Sequence, residues 1–167
     1  MSLSMYQAAI PPVVKMLNNL SAILDKTAAH CEARKIDPSV LLNSRLFPDM
    51  FPLVRQFQIA TDSAKGLVRL AGIEVPSYPD TEATIEDLKA RLAKTAAFVG
   101  ALTPEQVDGS EEKAISLKAG PHELHFTGSQ FLFHFALPNL YFHATTAYAI
   151  LRHNGVEIGK LDYLGEL

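Results

Sequence analysis

The chain has a single cysteine and no long apolar run, and each scarcity excludes a class of protein or site. Because Cys31 has no second thiol to pair with, an intrachain disulfide and a zinc site built on several thiolates are both excluded. A run of about 18 apolar residues would predict a transmembrane helix, and a basic stretch followed by an apolar one would predict a signal peptide. Neither pattern occurs, so we expect a soluble cytoplasmic protein with no membrane partner.

Basic residues are not in excess either. Lysine and arginine number 15 against 18 aspartates and glutamates, which gives a formal net charge of −3. Proteins that bind nucleic acids normally carry a basic stripe, so no nucleic-acid partner is expected. The 167 residues, of which 48% are hydrophobic, suffice for a domain with a full core. We therefore expect one domain over residues 1–167.

Apolar residues recur every three or four positions through most of the chain, a spacing typical of helices with one buried face. In the first segment Val13, Leu17, Leu20 and Leu24 show this spacing. Pro138 lies inside the last segment, where a proline removes a backbone hydrogen bond and predicts a kink. The predicted helices are 5–34, from 48 or 49 to 71, from 80 or 81 to 102, and 130–153.

Two short segments break the helical pattern between the third and fourth helices. Residues 115–117 and 124–126 alternate apolar and polar side chains and flank Gly120-Pro121, which predicts a β-hairpin. A hairpin is only marginally stable alone, so its apolar residues should pack on the helices. The expected fold is therefore all-α, a four-helix bundle of up-down topology with a small β-hairpin inserted before the last helix.

The spacing on the second helix separates two glutamines. Gln56 falls on the apolar face and is predicted to look toward the core. Gln58 falls on the opposite face, which is predicted to be exposed to solvent together with Asp62, Lys65 and Arg69. The acidic residues near the start of the third helix are interpreted as a solvated helix N-terminus rather than as paired catalytic acids: Asp80, Glu82, Glu86 and Asp87.

The last helix is almost wholly apolar, yet it carries His143 and, one turn earlier, Asn139. A polar group buried without a partner costs about 1–3 kcal/mol, so these side chains must find partners. We predict that they form, with Gln56, a polar patch in an otherwise apolar pocket between helices, the usual setting of a ligand site in a bundle. The candidate ligand-binding residues are Gln56, Asn139, Tyr141, His143 and Thr146.

Metal binding is the obvious alternative for a chain with six histidines. Two histidines that share a metal on one helix are spaced i,i+4, but the position four residues after His143 is Ala147. The sequence therefore predicts neither a metal site nor another cofactor. A weaker alternative completes a divalent-metal site from His143 with His134 or Asp49.

Aromatic residues are concentrated near the last helix, more than one buried helical face requires. A helix that is apolar all round is enclosed or covers a partner, which favours a homodimer. The cluster comprises Phe131, Phe133, Phe135, Tyr141, Phe142 and Tyr148.

Three stretches carry a resemblance to a known family: residues 49–53 followed by Gln56, residues 138–152, and residues 154–165. Together they resemble the DinB/YfiT-like four-helix-bundle superfamily, and most closely an uncharacterised branch that is a family of domains of unknown function. The resemblance implies the bundle fold. Superfamily members typically bind a divalent metal through three histidines, one on the second helix and two spaced i,i+4 on the last, and some are thiol-dependent transferases or hydrolases. Here His143 is similar to one last-helix ligand, Gln56 stands near the second-helix position, and the usual triad is incomplete.

Three hypotheses follow. The first is a small-molecule-binding bundle whose polar patch surrounds His143, and the sequence favours it. The second is a divalent-metal-dependent enzyme of the hydrolase or thiol-transferase type with a non-standard site. The third is a structural, dimeric scaffold in which the buried amides and His143 only satisfy one another. The sequence leaves open whether the protein is an enzyme.

Overall fold

Four long helices carry most of residues 3–166, the part of the chain that this computed structural model describes. The predicted all-α bundle is therefore confirmed. The helices are α1 Met5–Arg34, α2 Pro38–Leu42, α3 Leu53–Lys65 with a 3-10 continuation Gly66–Ala71, α4 Ile85–Gly100, α5 Pro104–Val107, α6 Gly128–Gln130, a π-helical segment Phe131–Ala136, α7 Leu137–His153 and α8 Lys160–Leu164. The strands are β1 Ile115–Ala119 and β2 His122–Phe126.

The long helices close around one apolar core. α3 packs against α7 and α4, and α1 packs against α4 and α7, so α1 and α3 lie diagonally across the bundle. Phe57, Leu17 and Leu88 are fully buried between them. Within residues 3–166 no helix is both long enough and apolar enough to cross a membrane. The contact that matters most for the candidate site is the one between α3 and α7.

The first helix has the predicted bounds because both of its ends are capped. Ser4 accepts a hydrogen bond from the backbone of Gln7, and the Gln7 side chain accepts one from the backbone of Ser4. This reciprocal pair satisfies two of the free N–H groups at a helix start. At the other end Lys35 adopts a left-handed conformation, φ 56°, and its N–H bonds back into the helix.

The second and third helices begin later than predicted. α3 starts at Leu53 with Pro52 as the residue before it, and residues 47–50 form a turn. α4 starts at Ile85, where Thr84 and Asp87 cap each other reciprocally. The cap at Thr84 fixes this start, and the residues before it form an extended connector, 73–84, that runs over α3 and α4.

The hairpin is antiparallel, as predicted, with Ile115 opposite Phe126 and Leu117 opposite Leu124. Ile115 is buried, and Leu117 and Phe126 pack against the core from the side. The chain then turns sharply into α6. Gly128 lies so close to the segment after α5 that a β-carbon on it would be 1.8 Å from the carbonyl oxygen of Ser110. Only glycine fits there.

The fourth predicted helix is a continuous helical run from Gly128 to His153, with Thr127 as its cap. Where Pro138 predicts a kink, the structure has the π-helical segment Phe131–Ala136, one turn earlier. Proline lacks an N–H to donate, so the helix cannot keep a regular hydrogen-bond ladder through this turn. Next to the proline, the side-chain amide of Asn139 donates to the carbonyl of Phe135 over 2.7 Å.

Candidate functional site

His143 and Gln56 form a hydrogen-bonded pair at the packed interface of α7 and α3. Nδ1 of His143 lies 2.7 Å from Oε1 of Gln56. Both side chains are buried, Gln56 to 2% exposure and His143 to 9%. The prediction that Gln56 faces the core is therefore correct. Because each side chain is the partner of the other, neither residue has the energetic cost of a buried polar group without a hydrogen bond.

The backbone carbonyl of Phe51 determines which ring nitrogen of His143 carries the proton. Gln56 donates through Nε2 to the backbone carbonyl of Phe51 over 3.0 Å. Because a carbonyl only accepts, the amide nitrogen must face Phe51 and the amide oxygen must face His143. Nδ1 of His143 therefore carries the proton. In the neutral ring, Nε2 is then an acceptor with a free lone pair.

Nε2 of His143 has no protein partner among residues 3–166, whose hydrogen bonds include none to this atom. Among the side-chain polar atoms in that range, Ser110 Oγ is the one that is both fully buried and unpaired. Nε2 is therefore reachable from solvent. Burial, and secondly the positive charge of Arg55, lower the pKa of His143. Both effects favour the neutral imidazole with its free lone pair.

An apolar groove of about 470 Å³ runs along the outer face of α7, and it borders the pair through Phe142 rather than through His143 or Gln56 themselves. Phe142 lies in its wall and packs edge-on against the imidazole of His143, with 5.1 Å between ring centres. No charged side chain lines the groove among the described residues. Its lining consists of Leu46, Pro138, Tyr141, Phe142, Thr145, Thr146 and Ala149.

Large apolar side chains are exposed around the same region. Phe47 and Phe51, in the turn before α3, are 62% and 55% exposed, and Phe142 on α7 is 58% exposed. Soluble proteins rarely expose a group of large apolar side chains without a binding role. We call the groove the aromatic groove, after Tyr141 and Phe142 in its lining; Phe47 and Phe51 do not belong to that lining.

The five predicted site residues do not all converge. Gln56 and His143 meet, while Tyr141 and Thr146 line the groove beside them. The Thr146 hydroxyl donates to the carbonyl of Phe142, which leaves its oxygen free to accept. Burial, and then the neighbouring Tyr163, raise the pKa of Tyr141. Asn139 is the exception, since its amide is used on its own helix at Phe135 and makes no bond to Gln56 or His143.

The residues around His143 do not match a three-histidine metal site. Within residues 3–166 no three histidine, cysteine, aspartate or glutamate side chains come together as a metal-binding group. Gln56, at the place of the missing ligand, uses its amide oxygen on His143 and its nitrogen on Phe51. Neutral amides are also weak ligands for transition metals. His134 and Asp49, the partners of the metal alternative, are both exposed.

A second polar cluster, which the sequence interpretation missed, lies between α3 and α4 around Arg91. Arg91 is 3% exposed. Its Nε donates to Thr61 over 2.7 Å, its Nη2 to Asp62 over 2.9 Å, and its Nη1 to Glu82 and to the carbonyl of Pro79, each over 3.0 Å. These bonds hold the connector 73–84 against both helices. We call this set the Arg91 cluster.

The predicted solvated helix start is wrong for Glu82. Its carboxylate is 11% exposed and is bound by Arg91 on one oxygen and by Gln58 on the other, 2.8 Å from Nε2. Burial alone would raise the pKa of Glu82, but the hydrogen bonds from Arg91 and Gln58 outweigh it and lower the pKa. Asp80 also reaches the cluster, 3.2 Å from Nη1 of Arg91.

The predicted solvent face of α3 is wrong for the same reason. Gln58 is 4% exposed, and Lys65 is buried beside Asp62 at 2.7 Å. The connector covers this face of the helix, so its polar residues become internal and pair with one another. One signal was available in the sequence, because Arg91 sits between Leu88 and Leu92 in an otherwise apolar helical stripe.

Arg55 joins the two polar regions. Its guanidinium donates to Gln58 over 3.2 Å and pairs with Asp80, while it lies 5.9 Å from the ring centre of Phe51. Phe51 provides the carbonyl that orients Gln56. The Arg91 cluster and the His143 pair are therefore connected through one side chain.

Comparison with known proteins agrees with this architecture. Residues 5–164 match the family described as "Domain of unknown function (DUF1993)". The chain is also similar to a DinB family member protein from Shewanella denitrificans whose crystal structure is known, at 43% identity and a TM-score of 0.88 over 97% of this chain and 92% of that one. No curated protein matches the chain. The chain belongs to the DUF1993 family and has the DinB-like fold that the sequence resemblance implies.

Proposed function

We propose that this DUF1993 protein binds a small molecule at His143 and the aromatic groove. The observation that supports the proposal is the free lone pair of His143 Nε2 beside an uncharged, exposed apolar surface. The hydrogen bonds from Gln56 to His143 and to Phe51 fix the ring and its tautomer. A fixed polar group at the edge of an apolar concavity of this size is typical of ligand sites.

The apolar surface gives the proposal its second support. Phe142 in the groove lining exposes 58% of its surface to water, and covering it would yield about 25 cal/mol for each Å² of apolar surface. A ligand that fills the aromatic groove gains this energy and a hydrogen bond to His143 together. A purely structural role for His143 needs neither the open Nε2 nor the exposed rings.

A thermal-shift screen of a metabolite library tests the proposal. A compound present at about 100 times its dissociation constant stabilises the folded state by about 2.7 kcal/mol. We expect at least one compound whose shift disappears in His143→Ala and in Gln56→Ala. His134→Ala is the matched control, since it removes an exposed histidine from the same helical run.

The screen also defines failure. If no compound shifts the wild-type protein, or if every shift persists in both the His143 and Gln56 variants, the site is not a ligand site. If His134→Ala abolishes the shifts as well, the effect belongs to the helix and not to the pair.

A homodimer is a second candidate role, favoured by the uncharged lining of the groove on α7. Two copies of an uncharged face can meet without like charges opposing one another. We expect sedimentation equilibrium to give a dimer for the wild type and a monomer for Phe142→Glu. Val40→Glu, which charges an exposed apolar residue on α2, is the control and should remain a dimer. A wild type that stays monomeric at all concentrations contradicts this role.

A further inference from the structure

We infer that the ligand of this site is a neutral aromatic molecule that bears a hydroxyl group, of the phenol class, with the hydroxyl donating to Nε2 of His143 and the ring lying in the aromatic groove. The inference rests on the proposed function and adds to it the chemical class of the ligand.

The hydrogen-bonding polarity of the site requires a donor on the ligand. Nδ1 of His143 already donates to Gln56, which is itself held by the carbonyl of Phe51. The proton therefore cannot move from Nδ1 to Nε2, because the lone pair of Nδ1 would then face the amide oxygen of Gln56, which is also an acceptor. Nε2 is left as the acceptor, so the ligand must supply the O–H or N–H.

The charges around the pair favour a neutral ligand. A carboxylate has no proton to give and would place its own lone pairs against that of Nε2. The charge of Arg55, which acts on His143, is balanced by its ion pair with Asp80, which leaves little net attraction for a charged ligand of either sign. The groove lining adds no charge of either sign.

The walls favour a ring over a flexible chain. Tyr141 and Phe142 contribute the two rings of the groove lining, and Phe142 also packs edge-on against the imidazole of His143. Aromatic side chains prefer offset-stacked and edge-to-face contacts with other rings. A groove of about 470 Å³ lies within the range of small-molecule sites and has room for a substituted ring.

A matched pair of probes tests the ligand class. 4-Methylphenol and 4-methylanisole share the ring, but only the first has a hydroxyl to donate. At about pH 8 the phenol is neutral, since phenols ionise near pH 10. By calorimetry we expect 4-methylphenol to bind the wild type about tenfold more tightly than 4-methylanisole, and this ratio to fall to about one in His143→Ala. 4-Methylbenzoate should bind more weakly than either.

The wild-type protein alone provides a second readout, should His143→Ala fold poorly. With ¹⁵N-labelled histidine, the NMR spectrum should show Nδ1 of His143 protonated and Nε2 unprotonated. Adding 4-methylphenol should move the Nε2 resonance, and 4-methylanisole should leave it in place. An Nε2 that is protonated in the free protein overturns the inference.

The outcomes separate this inference from the proposed function. If compounds from the library bind in a His143-dependent manner but 4-methylphenol does not outperform 4-methylanisole, or if 4-methylbenzoate binds best, the ligand class is wrong and the ligand site stands. If neither the library nor the probes bind, both are wrong.

Discussion

Arg55 lies close enough to His143 for its positive charge to lower the pKa of the imidazole, although the two residues belong to different helices. The guanidinium itself is bound to Gln58 and Asp80 in the neighbouring ion cluster. The electrostatic state of the candidate site therefore depends on residues that do not touch it. The lowered pKa of His143 makes the folding stability depend on pH, and the direction of that dependence can be derived.

Folding stability should fall as the pH is lowered from about 7.5 to about 5. Free histidine titrates near pH 6.5, and in the folded protein burial and Arg55 lower the pKa of His143. Below about pH 6.5 the unfolded chain therefore binds more protons than the folded one, and the stability present at higher pH is lost as the pH falls through the folded pKa. Urea denaturation at several pH values measures this loss.

The contribution of His143 to that loss is isolated by replacing it with a residue that does not titrate. His143→Gln should lose less stability over the same pH range than the wild type. His134→Gln, at an exposed position, should follow the wild type. Equal losses in the wild type and in His143→Gln would contradict the prediction.

Gln56→Leu should destabilise the fold by about 1–3 kcal/mol. The leucine leaves the buried Nδ1 proton of His143 without its partner, and one unsatisfied buried polar group costs this much. Chemical denaturation measures the change. Asn18→Leu, at an exposed position of α1, should change stability by less than about 0.5 kcal/mol. If the two variants are equally stable, the hydrogen bonds of Gln56 contribute nothing to the fold.

Arg91→Met should be among the most damaging substitutions in the chain. Removing the guanidinium leaves the buried carboxylate of Glu82 without the cation it binds, and breaking a buried ion pair from one side costs about 3–5 kcal/mol. Lys94→Met is the matched control. Lys94 is exposed and its ammonium lies 4.1 Å from the ring centre of Tyr78, a contact worth about 0.5–1 kcal/mol. A similar loss in both variants would contradict the buried role of Arg91.

Gly128→Ala should prevent the turn into α6 from closing. The new methyl group would lie 1.8 Å from a backbone oxygen of Ser110, which cannot rotate away as a side chain could. We expect a loss of about 3 kcal/mol or more, seen as a lower melting temperature or poor recovery of folded protein. Gly100→Ala, whose nearest neighbour is Val14 at an ordinary 3.6 Å, should be neutral or slightly stabilising.

The contact between His143 and Gln56 could be anticipated from the sequence, because each residue interrupts an apolar helical face. Periodicity places both side chains in the core, and the cost of burial requires a partner for each. The direction of the hydrogen bonds could not be anticipated. It depends on the carbonyl of Phe51, in a turn whose path no periodic pattern specifies.

The Arg91 cluster could not be predicted from helical periodicity. The pattern correctly gave α3 two faces, but it treated the face opposite the core as solvent. The connector 73–84 covers that face, and an extended segment has no helical repeat by which its path could be inferred. Gln58 and Glu82 are therefore buried by a tertiary contact between segments that are 24 residues apart. The late start of α4 has a different origin, the reciprocal cap of Thr84 and Asp87.

The Arg91 cluster also constrains how this family can change its sequence. Thr61, Asp62, Glu82 and Arg91 are bound to one another across helix, connector and helix. Loss of the Arg91 charge leaves the buried carboxylate of Glu82 uncompensated, so we expect a single substitution there to be selected against and a joint replacement with Glu82 to be tolerated. Across related sequences these two positions should therefore vary together, and that correlation would record the path of the connector even where its other residues have diverged.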